Sequence, residues 1–264
     1  MEQKMKGWLF MMVIAMLLVT ACSKDEQVKE PVTGPLEEED IVQEEEPVTS
    51  YAAPFTGIQS EEEMTRRPVL VTINNHPLAR PQSGISDADI VYELLAEGNV
   101  TRLLALFQSE LPEEIGPVRS ARDYFVHMAK GLDAFYVAHG YSPDAKQLLQ
   151  SNFVDNVNGM QYDGTLFWRS YISGENILAG AEKTDSTMEM DQASPFSFHE
   201  SIEDAKIGDQ ASTITVSYSA DPKFTSNYSY DVLNGTYDRT VNDVVTIDKV
   251  NDAPVELSNI LIFE

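Results

Sequence analysis

Two short segments carry the residues best suited to chemistry. Arg119, Ser120 and Arg122 stand where a β-rich run gives way to a helix-forming stretch, and His139, Tyr141 and Ser142 mark a second such junction. In α/β folds ligands collect at the carboxyl ends of strands, and exposed helix N–H groups favour anions. Two arginines at such a place suit a carboxylate or phosphate, gripped through paired N–H donors. These six residues form the candidate ligand-binding set. A structural alternative for Arg119 and Arg122 is to pair with Glu93 or Glu97.

Glu93 and Glu97 are also the candidate catalytic acids. On a strand they share a face but stand about 13 Å apart, at ~3.3 Å per residue. Paired glycosidase carboxyls are ~5–9.5 Å apart, so these two do not form such a pair. One glutamate in apolar surroundings could still have a raised pKa and act alone as a general acid. His76, His127, His139 and His199 show no metal-ligand spacing. Asp87 and Asp89 fit a turn or strand start better than a metal site, so no metal or cofactor is expected. Ser120 and Ser142 lack a Gly-x-Ser-x-Gly elbow, and helix capping accounts for both.

The elements that must position these residues can be traced. Val69 to Asn74 is β-rich, and Ile90–Glu97 with Thr101–Gln108 reads as two strands joined at Gly98-Asn99. Ser120-Ala121-Arg122-Asp123 has the form of a capping box, with Ser120 as cap and Asp123 reaching back, for a helix to about Lys130. Ala134–Ala138 is a short strand, and Ser142-Pro143 opens a second helix with proline at its first position. A short helix is expected over Asn176–Glu182. From Ser212 the pattern alternates, and Asn234-Gly235 signals a type I′ hairpin. Further strands are expected at Asp243–Asp248 and Leu257–Phe263. The fold class expected is an α/β N-terminal domain with a mixed sheet, plus a smaller, mostly antiparallel β C-terminal region.

Charge is unevenly spread. The 264 residues carry a formal net charge of −25, of which −11 falls between Ser23 and Glu63. Such acidity argues against sequence-independent nucleic-acid binding, which needs a basic footprint. The acidic blocks, broken by Pro31, Pro35, Pro47 and Pro54, cannot bury enough apolar surface to offset ordering entropy. Before them, Lys4 and Lys6 precede an apolar run from Trp8 to Val19, too short for a spanning helix of ~20 residues. It ends in Val19-Thr20-Ala21-Cys22, the form of a lipobox. The single cysteine, Cys22, is thus the expected lipidation point, and the membrane the expected partner. The expected division is a signal peptide at 1–21, an acidic tether at 22–66, an α/β domain at 67–205 and a β-rich domain at 206–264.

Arg67-Pro68-Val69, the run from Asn75 to Gly84, Ala88 to Glu93, Gly116 to Arg122 and His139-Gly140-Tyr141-Ser142-Pro143 occur in order. Together they resemble the YerB-type lipoproteins of Gram-positive bacteria, a family of unknown function. The resemblance implies an N-terminal α/β part and a smaller C-terminal β part, and agrees with the lipobox and tether. It also implies two departures. A basic Pro-His-Asn stretch that follows the Phe-Trp/Tyr-Arg segment in the family is replaced here by Ser170-Tyr171-Ile172-Ser173. The family also continues past the strand at Asn259–Ile262, so a C-terminal piece of the β region is expected to be missing.

Three functions fit these residues. The first is an extracytoplasmic module that binds an envelope polymer such as peptidoglycan, or an anionic fragment, through the arginines. The second is a glycan-cleaving enzyme with Glu93 or Glu97 as acid and Tyr92, Tyr141, Phe167 and Trp168 stacking on sugar rings. The third is a surface scaffold that docks another envelope protein.

Overall fold

The structure, a computed structural model, describes residues 50–199, 201 and 208–263. The signal segment, Cys22 and the tether up to residue 49 lie outside the described residues, which all fall in one compact unit beginning at Pro47. Part of the expected tether is folded. Tyr51–Ala52 (β1) and Gln59–Ser60 (β2) form an antiparallel hairpin that buries Ala53 and Phe55. Phe55 joins the core beside Phe125, so two apolar side chains anchor a segment whose acidic surroundings suggested a spacer.

The main sheet is built from Val69–Asn74 (β3), Ile90–Leu95 (β4), Thr101–Phe107 (β5), Phe135–Ala138 (β6) and Asn156–Asn158 (β7). Their order is β4-β5-β3-β6-β7. β5 runs antiparallel to both β4 and β3, whereas β3, β6 and β7 are mutually parallel. The sheet is therefore mixed, as expected. Strands covered on both faces read as near-continuous apolar runs, and the central strands do so. Alternate residues split between two cores. Val69, Val71, Ile73, Ala105 and Val137 face Ile177 and Ala181 of helix α4 (Gly174–Lys183). Leu70, Leu104, Leu106 and Tyr136 face helices α1 (Asp123–Gly131) and α2 (Pro143–Gln150). A short helix, α3 (Gly159–Tyr162), follows β7 directly. Each fully buried aliphatic or Phe side chain contributes roughly 1.5–3 kcal/mol.

The second sheet holds Thr213–Ser217 (β8), Thr225–Asp231 (β9), Thr236–Val241 (β10) and Val244–Val245 (β11), with Glu256–Leu257 (β12) pairing β10. Every pairing in it is antiparallel. Two local expectations change here. Asp231 pairs with Thr236, so the hairpin loop has four residues, 232–235, rather than two. Only Gly235 in it takes a positive φ, +72°, whereas a type I′ turn needs two such residues in succession. The expected strands at Asp243–Asp248 and Leu257–Phe263 shrink to the two-residue β11 and β12. Residues 258–263 form no strand.

Candidate functional site

β3 and β6 pair through Val71 and Val137 and then part. The carbonyl of Thr72 accepts instead from Arg119 N–H at 2.7 Å, and His139 N–H donates to the Arg119 carbonyl at 2.9 Å. Residues 117–121 are thus wedged between the two strand ends. The chain leaves β3 toward β4 and β5 on one side, and leaves β6 toward β7 on the other. This is the topological switch point where α/β sheets bind ligands. Here the crevice is filled by the protein's own backbone, and the side chains of the wedge stand at its rim.

The wedge explains why the expected capping box does not form. Ser120 Oγ donates to the His139 carbonyl at 3.2 Å, and α1 starts only at Asp123 with no side-chain cap. Gly140 (φ +93°) sits against that serine; a Cβ there would come within 2.7 Å of Ser120 Oγ. At the second junction the expectation holds: Ser142 accepts from Ala145 N–H and Pro143 opens α2.

Three arginines gather around one carboxylate beside the wedge. Arg102, from β5, donates to Glu97 at 2.8 Å and also to the Ser120 carbonyl. Arg122 Nε donates to the other Glu97 oxygen, and its Nη1 to the Ala121 carbonyl. The hydrogen bond from Arg122 holds the Glu97 carboxyl below the usual carboxylate range, against slight burial and with help from the charge of Arg102. Burial, and then the like charge of Arg122, lower the Arg102 guanidinium. Arg119 is exposed, lies within electrostatic reach of Glu97 and Arg102, and its side chain makes no hydrogen bond or ion pair among the described residues. Three cations against one carboxylate leave a local positive excess.

Glu93 is placed quite differently. Its Oε1 accepts from Asn75 Nδ2 at 3.0 Å and Thr101 Oγ1 at 2.8 Å. Its Oε2 accepts from Arg239 at 3.0 Å and Ser226 Oγ at 3.3 Å. The side chains of Glu93 and Arg239 are 12% and 8% exposed, so this pair is buried where the two sheets meet. A second seam lies nearby. Asp248, wholly buried, accepts from the backbone N–H groups of Gly84, Ser86 and Val250 and from Ser86 Oγ.

His139 turns away from the arginines. Its ring packs over Gly159, where a Cβ would meet it at 2.5 Å, and lies 5.6 Å from Phe167. Its Nδ1 is buried without a hydrogen-bond partner. Tyr141 bridges to Ala121 through the backbone, and the Lys146 ammonium lies 5.6 Å from its ring. The structure thus keeps Arg119 and Arg122 with Glu97, apart from Glu93 and the His139 ring. No group of three or more His, Cys, Asp or Glu side chains able to hold a metal occurs among the described residues. Sequence reasoning missed Arg102, Arg239 and Asp248. A charged residue inside an otherwise apolar strand was the available signal for Arg102.

The sequence and the fold are similar to those of a known protein. A Bacillus subtilis protein named as a candidate lipoprotein, YerB, is 44% identical over 223 residues. That match takes in 80% of this chain and 66% of the relative, so the chain spans just under two thirds of the relative's length. The crystal structure of YerB from Bacillus subtilis matches with a TM-score of 0.70 at 40% identity, covering 78% of this chain and 72% of that one. Residues 55–191 match the family model described as the N-terminal domain of the protein of unknown function DUF3048. The chain belongs to the DUF3048 family.

Proposed function

We propose that this protein is a lipid-anchored, extracytoplasmic binding module that holds an anionic fragment of a cell-envelope polymer, such as peptidoglycan, at the arginine junction without turnover. The observation that carries this reading is the arrangement of Arg102, Arg119 and Arg122 around Glu97, with Arg119 exposed and unpaired. In a chain of net charge −25 a cationic cluster that reaches solvent through Arg119 is a local exception, and a carboxylate or phosphate is its natural complement. A charge-assisted hydrogen bond to such a group contributes about 1.5–3 kcal/mol. The lipobox ending at Cys22 and the lipoprotein name of the relative support anchoring at the outer face of the membrane.

Binding without turnover is favoured by the two glutamates. Both Glu93 oxygens accept from two donors each, and both Glu97 oxygens accept from arginines. Neither is poised to give a proton to a leaving group. Co-sedimentation of the purified protein with purified sacculi tests the proposal. Wild type is expected in the pellet, and Arg119→Ala, with unchanged circular dichroism, in the supernatant. Equal pelleting of the variant would sink the arginine site, and release of soluble muropeptides by wild type would sink binding without turnover.

A further inference from the structure

A groove of about 640 Å³ opens along the outer side of β7, which is an edge strand and has no partner there. It is walled by α3, by the last turn of α2 with the residues that follow it, and by the residues just past the end of α4. Its volume lies within the ~300–1,000 Å³ usual for small-molecule sites. We propose that this groove binds a neutral, N-acetylated glycan chain. It goes beyond the anion-binding reading, because it uses a different surface and the opposite charge rule.

No Lys, Arg or His lines the groove. Arg67 is shared between Asp155 at 2.6 Å and Asp133 at 3.1 Å, so Asp155 and Asp185 together leave the lining with a negative excess. An anion is therefore repelled and a neutral ligand is not. Gln150, Asn152 and Gln161 present carboxamides that make no side-chain hydrogen bond among the described residues. A carboxamide offers both donor and acceptor, and an acetamido group offers the matching pair. Tyr141, whose ring the Lys146 ammonium approaches to 5.6 Å, supplies an aromatic surface at one end against which a sugar can pack.

An extended peptide added to β7 is the competing occupant. The strand has only three residues. Moreover, Asn156 and Asn158 spend their amides on the protein's own backbone, at Val154 and at Gly140 and Met160. A three-residue ladder gives few main-chain bonds, so polar side chains of the walls must supply the contacts.

Calorimetric titration with the β-1,4-linked tetramer of N-acetylglucosamine tests the proposal. Saturable binding is expected, unchanged by equimolar inorganic phosphate. Gln161→Trp and Gln150→Trp, at two exposed positions, are each expected to fill the groove and weaken binding about tenfold or more. Circular dichroism checks each fold, and either variant alone suffices. Absence of saturable binding at millimolar tetramer, or binding that both folded variants retain, would overturn the proposal. Binding of an extended Val-Thr hexapeptide with none of the tetramer would assign the groove to strand addition instead.

Discussion

Glu93 and Glu97 are four residues apart, carry the same carboxylate and both meet arginine, yet they sit in opposite environments. Glu93 is buried, faces one arginine and is saturated by donors from four side chains. Glu97 has a side chain 58% exposed and shares two arginines, with a third nearby. The first arrangement closes on itself and joins two sheets. The second is cation-rich and open, the arrangement that the proposed anion site requires. Residue type and spacing do not distinguish the two; burial and the ratio of cations to carboxylates do.

Breaking the buried pair has the largest expected effect. Arg239→Ala strands Glu93 in a low-dielectric seam, and removing one partner of such a pair costs about 3–5 kcal/mol. Three other donors remain on Glu93, so the lower end is expected, read as a drop in the urea midpoint. An unchanged midpoint would show that the seam does not hold the sheets together.

Next comes Asp248→Ala, which deprives three backbone N–H groups and one hydroxyl of their acceptor. Each unsatisfied buried donor costs about 1–3 kcal/mol, and relaxation of the 84–86 loop to water brings the total to about 2–3 kcal/mol. Asp248→Asn keeps one acceptor oxygen and is expected to lose less in the same urea titration.

The open site is expected to respond weakly in stability and strongly in binding. Glu97 is held below its ordinary pKa of 4.5, so its contribution is present above that value and fades as pH falls through the folded-state pKa. Solvent screening keeps such an exposed pair near ~0–1 kcal/mol. Glu97→Gln should therefore remove a small acid-side slope from the stability profile as pH falls below 4.5. A slope left intact would mean that other carboxylates carry the acid response.

The same contrast explains what could be read in advance. Local signals held: Ser142-Pro143 caps α2 because cap and helix are adjacent in sequence, and the apolar runs of β3 and β5 read as strands. Ser120 misled because its hydroxyl is drawn to the His139 carbonyl by a wedge that depends on two strands parting, a tertiary event. Arg239 reaches Glu93 across 146 positions, and Asp248 reaches Gly84 across 164. No local periodicity marks such partners. The turn Trp168-Arg169-Ser170-Tyr171 was equally hidden. Arg169 and Ser170 both adopt positive φ, +49° and +69°, without the Gly or Asn that announces a tight hairpin.

In the proposed anion site the arginines hold the ligand and Glu97 is its internal competitor. A calorimetric titration with inorganic phosphate at neutral pH, run on wild type, Glu97→Gln and Arg119→Ala, tests it most directly. Removing the competing charge should tighten binding severalfold, and removing the free guanidinium should weaken it about tenfold. Opposite shifts in the two variants are the predicted result. Equal affinities in all three, or no binding by wild type at millimolar phosphate, would contradict the account.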